Sequence, residues 1–152
     1  MKRCLLLSSL LLLAGVASAA GWLLPLDGRQ QFAVSIAARG VMLTGICVVS
    51  TDSAGYSRGS VVNEFGIHAF DFTVGADRRR VRLLNVVPQL DRWYLRRVVR
   101  GDLRRLFLAT ATGRQKGHRT VSLSADGTVV LVNERHNLEY GFKRIESYEV
   151  DE

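Results

Sequence analysis

Cysteine and proline are scarce in this chain, with two of each. Cys4 lies inside an N-terminal apolar run, so once that run is set aside only Cys47 remains. A single thiol excludes an intramolecular disulfide framework and any Cys-based zinc cluster. Cys47 sits between Ile46 and Val48 and reads as a small buried hydrophobe. Histidine is equally sparse. His68, His118 and His136 pair with no His, Cys or carboxylate at metal-ligand spacing. His68 reads as a hydrogen-bonded core or rim residue, His118 and His136 as turn residues. There is no G-x-S-x-G elbow, no Walker loop and no H-E-x-x-H pair. Asp52 and Asp71 are carboxylates that nothing in the sequence brings together. The expectation is a protein that is not an enzyme and carries no cofactor and no metal.

Lysine is missing from most of the chain as well. After Lys2 only Lys116 and Lys143 occur, so arginine supplies nearly all the positive charge. Lys2 and Arg3 lead into the apolar stretch Cys4 to Val16, which ends in Ala17-Ser18-Ala19. A positive end, a hydrophobic centre and an A-x-A site are the marks of a secretory signal, expected to be cleaved after Ala19. The run is too short for a spanning helix, which needs about 20 residues. Leu13-Ala14-Gly15 resembles the start of a lipobox, but Val16 stands where the lipidated cysteine would be. The expectation is an exported, periplasmic protein that is not a lipoprotein.

Loss of the signal lowers the formal net charge from +7 to about +5. In that compartment a basic surface points to anionic membrane or an acidic envelope protein, and not to nucleic acid. About 133 residues remain, enough for one domain with a real core. Residues 20–31 read as a lead-in and 32–150 as the single domain.

With so little proline, strands run on. Phe32, Val34 and Ile36 alternate with Ala33, Ser35 and Ala37. Val41 to Ser50 is a β-branched run expected at the centre of its sheet. Tyr56 to Val62 follows. His68, Phe70, Phe72 and Val74 then share a face in the next strand, and Arg80 to Val87 makes a fifth. Turn signals every eight to twelve residues argue for an antiparallel meander. After Pro88 the period changes. Leu95, Val98, Val99, Leu103, Leu106 and Phe107 recur at helical steps, and Arg92, Arg96, Arg100 and Arg104 form an i, i+4 stripe elsewhere on the helix. Gly101 is expected to kink the helix or split it in two, with Asp102 capping the second part. Gly113 to His118 reads as a loop, and Asp126-Gly127 marks a hairpin in a last meander. The fold class is α+β: a curved antiparallel sheet, a half-barrel of about eight strands, covered by a kinked helix or two short helices.

This order of elements resembles the LolA/LolB-type fold of bacterial lipoprotein-sorting carriers. The resemblance rests on the strands from Phe32 to Val87, the helix from Pro88 to Ala109 and the closing hairpins. The segment Val61-Val62-Asn63-Glu64-Phe65-Gly66-Ile67-His68-Ala69-Phe70-Asp71-Phe72 is also similar to a stretch found in secreted proteins of Gram-negative bacteria. The resemblance implies a concave apolar face lidded by helices, with a lipid or acylated protein as cargo. Candidate lining residues are Phe32, Val34, Phe70, Phe72, Leu95, Val99 and Phe142; the same residues would equally form a closed core. In LolB-type members a hydrophobic residue protrudes from a loop between early strands, and Phe65 lies in a comparable loop. An aromatic there is either exposed for contact or tucked over the sheet edge, and the tucked form is the expectation. The rival function is an interaction module docking an anionic membrane or envelope protein through Arg92, Arg96, Arg100 and Arg104.

Overall fold

The structure, a computed structural model, describes residues 21–146. The signal segment and the acidic tail residues Glu149, Asp151 and Glu152 lie outside them. The described residues form one antiparallel sheet of nine strands, not closed, with one helix. The first meander comprises β1 (Arg29–Ala38), β2 (Val41–Thr51), β3 (Ser57–Asn63), β4 (His68–Val74) and β5 (Val81–Leu84). The helix α1 (Trp93–Leu108) follows. The second meander comprises β6 (Gly113–Gln115), β7 (Arg119–Leu123), β8 (Val129–Asn133) and β9 (Leu138–Ile145). The strand order is β5-β4-β3-β2-β1-β9-β8-β7-β6. The first and last strands therefore pair in the middle, Val34 opposite Phe142, while β5 and β6 are the two edges. The helix is the connection between those edges, and it packs on β5 and on β8.

Alternation sets the buried face. Phe32 and Val34 of β1, Cys47 and Val49 of β2, and Tyr140 and Phe142 of β9 point to the helix side and are buried. They meet Leu103, Leu106 and Phe107 of the helix. Phe107 stacks on Phe72 at 5.4 Å between centroids and meets Phe142 edge-on at 6.1 Å. Each such ring contributes roughly 1.5–3 kcal/mol by leaving water, and the aromatic geometry adds to that. The Phe72 ring lies across Gly59 of the neighbouring strand, where any Cβ would stand 2.1 Å from a ring carbon.

Four local expectations are corrected. The segment 113–115 is a short edge strand, because its backbone pairs with Arg119–Val121. The helix begins at Trp93, after turns at residues 88–90, and not at Pro88. It is one helix that runs through Gly101, so Asp102 is interior and caps nothing. The sheet has an irregularity where β3 pairs with β4, the register shifting between Val61 and Val62. As a result His68 leaves the face of Phe70 and Phe72 and meets Asp71 instead, at 2.7 Å. Among the described residues no helix is long and apolar enough to cross a membrane.

Two polar side chains hold the helix in place. Asp102 is fully buried, and its carboxylate accepts from Arg119 Nε, from Asn133 Nδ2 at 2.8 Å and from the Tyr140 hydroxyl at 2.8 Å. Burial and the neighbouring Asp102 charge push the Tyr140 hydroxyl far above its ordinary range, so it stays a donor. At the helix end, buried Arg78 donates from Nη1 to the carbonyls of Leu24 at 2.7 Å and Phe107 at 2.9 Å. Trp22 covers its guanidinium at 3.8 Å. Burial lowers the Arg78 pKa to about 10, which leaves it charged near neutrality. A cation at the carbonyl end of a helix also complements the helix dipole.

Candidate functional site

The helix separates two concavities of opposite chemistry. The first is apolar, with a volume of about 190 Å³, under the N-terminal half of α1. Leu95 and Val99 project into it from the helix, Phe70 and Leu83 from the first meander, and Ile36 and Leu43 from β1 and β2. Val86 and Leu90 of the β5–α1 connection and Ala38, Val41 and Leu138 at the strand ends complete the wall, and Arg96 is its one charged residue. Phe70, Leu83 and Leu138 are buried, Val41 and Arg96 are exposed and the other residues named are half-buried; the helix start above them has no side-chain cap and no acidic first turn.

The strand register explains what surrounds this cavity. The β1–β2, β3–β4 and β8–β9 turns all fall at the same end of the sheet. Two of them carry uncovered apolar side chains: Val41 and Met42 on one, Phe65 and Ile67 on the other. Phe65 is 79% exposed, so the tucked form is not what the fold adopts. Asn63 fixes the turn: its side-chain oxygen accepts from the amides of Phe65 at 3.0 Å and Ile67 at 2.8 Å. Glu64 accepts from Thr44 at 3.0 Å. The turn is thus held by polar contacts while Phe65 points away.

Of the expected lining residues, Phe70, Leu95 and Val99 do line the cavity. Phe32, Val34, Phe72 and Phe142 do not; they are buried in the closed core around Phe107. The alternation that identified them marks burial only. It does not distinguish a filled part of the sheet from a part left open.

The second concavity is a groove of about 760 Å³ on the outer side of the helix. Trp93, Arg97, Arg100 and Arg104 run along the helix, one or two turns apart. Arg79, Arg80 and Arg82 border one side from β5 and the turn before it, and Arg119, Arg135 and His136 border the other. The expected stripe is thereby split. Arg100 and Arg104 belong to the groove. Arg96 donates to Asp91 at 3.0 Å and to the Leu83 carbonyl at 3.1 Å, and borders an adjoining recess with Arg82, Trp93, Arg97 and Arg100. Arg92 is exposed at the helix start and lines neither concavity. Sequence reasoning missed Arg119 and Arg135 because they come from the second meander. The arginines of the other side, Arg79, Arg80 and Arg82, stand together in the sequence.

On the opposite face of the sheet, Asp71 accepts from His68 and, at 2.7 Å, from Asn85. Burial alone would raise the Asp71 carboxyl, but hydrogen bonds from Asn85, His68 and Ser60 outweigh it and bring it below its ordinary value. The pair is a polar contact at a strand irregularity. Among the described residues no group of three or more His, Cys, Asp or Glu is placed to hold a metal ion.

A scan against protein-family models finds no match for the chain, and a search of curated proteins finds none either.

Proposed function

We propose that the protein is an exported binding or carrier protein of the cell envelope that takes an acyl chain, from a lipid or an acylated protein, into the apolar cavity under α1. In this reading the sheet is a half-barrel and the helix its lid. The observation that carries it is the cavity itself: a recess walled by aliphatic side chains and Phe70, with Arg96 as the one charged residue at its border. The uncovered Val41, Met42, Phe65 and Ile67 at the same end of the sheet support it, since apolar surface left in water at a cavity mouth marks contact with an apolar partner. The cavity is smaller than the roughly 300 Å³ of a typical ligand pocket, so it holds part of a chain.

That size makes a sharp test. Each buried methylene contributes about 0.8 kcal/mol, so affinity for a series of alkyl carboxylates should climb with length and then level off once the cavity is full. Val99→Trp, which fills the cavity from a half-buried position, should abolish binding while circular dichroism stays unchanged. Native mass spectrometry of the protein isolated from a cell-envelope fraction should reveal the cargo as added mass. Affinity independent of chain length, or unaffected by Val99→Trp, sinks the reading.

A further inference from the structure

The arginine groove has no part in holding an acyl chain. Eight arginines line it, and among the described residues only Arg119 has a carboxylate within 4.0 Å. The other carboxylate partners of arginine, Asp91 and Glu134, serve Arg96 and Arg114, which lie outside. Positive charge crowded into a concavity repels itself, and among the described residues Asp102, beside Arg119, is the one carboxylate paired with these arginines. A bare solvated helix face would need only the helical arginines. Here three parts of the chain that are distant in sequence converge on one space, and Arg119 is fixed at its border by buried Asp102. The helix makes room for that guanidinium: at Gly101 a Cβ would stand 3.1 Å from Arg119 Nη2.

We infer that this groove binds a ligand bearing at least two phosphate groups, carried on a ring that rests against Trp93. Guanidinium groups take phosphate oxygens in a bidentate fork, and arginines on both sides of the groove suit phosphates at two ends of one molecule. Trp93 is 76% exposed and borders the groove, with Tyr94 edge-on to it at 6.0 Å. An uncovered indole beside a phosphate site is a platform for a sugar or other ring. The concave shape argues against a flat bilayer, which would touch the exposed Arg92 at least as well as the groove.

The test uses probes without an alkyl chain, so its failure is independent of the acyl-binding reading. Isothermal titration of the full protein with glucose 1,6-bisphosphate, glucose 1-phosphate and glucose should give binding about tenfold tighter for the bisphosphate than the monophosphate, and none for glucose. Arg100→Glu with Arg135→Glu should remove it, and Trp93→Ala should weaken the bisphosphate but not inorganic pyrophosphate. Arg92→Glu should leave all values unchanged. Sedimentation with vesicles containing phosphatidylinositol bisphosphate then separates two sources of the same chemistry: binding there identifies a lipid headgroup, and its absence a free phosphorylated ligand. Equal affinity for mono- and bisphosphate, equal loss from Arg92→Glu and Arg100→Glu, or equal binding to duplex DNA or phosphatidylglycerol vesicles would overturn the inference.

Discussion

At the scale of single residues, Cys47 is the plainest case of burial dictating chemistry. It has no exposed surface, and desolvation pushes its thiol from an ordinary 9.0 up to about 12. The folded state therefore keeps the proton where the unfolded chain gives it up. Below pH 9 both states are protonated and the contribution to stability is complete. Between pH 9 and 12 only the folded state holds the proton, and stability falls by about 1.4 kcal/mol per pH unit from this group. The urea-unfolding free energies of wild type and Cys47→Ala should therefore converge as pH rises from about 8 to about 10.5. A gap that stays constant with pH would show that the thiol does not titrate as burial requires. The same burial keeps Cys47 inert to alkylating reagents in the folded protein.

At the scale of elements, the helix shows how far local signals reach. Glycine in a helix interior costs about 1 kcal/mol relative to alanine, and that cost made Gly101 look like a break. The compensation lies elsewhere in the chain. The missing side chain admits Arg119, which holds Asp102, and Asp102 also receives Asn133 and Tyr140. These partners sit 17, 31 and 38 residues away, beyond any local pattern. Gly101→Ala should accordingly bring no gain, or a loss of up to about 1 kcal/mol, in wild type. In an Arg119→Ala background the same change should stabilise by about 1 kcal/mol. Equal effects in both backgrounds, read from chemical unfolding, would break the link between the glycine and the guanidinium. The strands were more legible. A sheet with one buried face imposes a period of two, and Phe32-Val34, Phe70-Phe72 and Tyr140-Phe142 display it openly. It failed where the β3–β4 register slips, placing His68 beside Asp71. Phe65 was illegible for another reason: an aromatic in a turn is fixed by contacts of its neighbours, here Asn63 and Glu64. A smaller part of the apolar cavity was legible as well, since period identifies Phe70, Leu95 and Val99 as inward-facing; which inward residues border empty space depends on how the helix seats.

At the scale of the whole molecule, the helix is held unequally along its length. Its second half is tied by Asp102 to the second meander and by Arg78 to the lead-in and the β4–β5 turn. Leu23 adds a backbone bond to the Ala109 carbonyl at 2.8 Å. Its first half has one polar tie to the sheet among the described residues, Arg96 to the Leu83 carbonyl, and overlies the apolar cavity. If the proposed lid role holds, the helix would pivot about its C-terminal end, where Asp102 and Arg78 hold it, and the core around Phe107 would stay in place. Arg78 is the joint where three segments meet, so Arg78→Met, which keeps most of the stem but removes the donors, should leave two buried carbonyls unsatisfied. The expected loss is about 1–3 kcal/mol of stability. Its location is the more telling readout. Hydrogen exchange should accelerate at Leu23 and Ala109 together, while amides at the β1–β9 pairing keep their protection, because that ladder shares no contact with Arg78. The proposed acyl-chain binding should survive, since the cavity lies under the other end of the helix. If exchange rises uniformly across the sheet, the molecule opens as one unit and no part of the helix acts as a hinge.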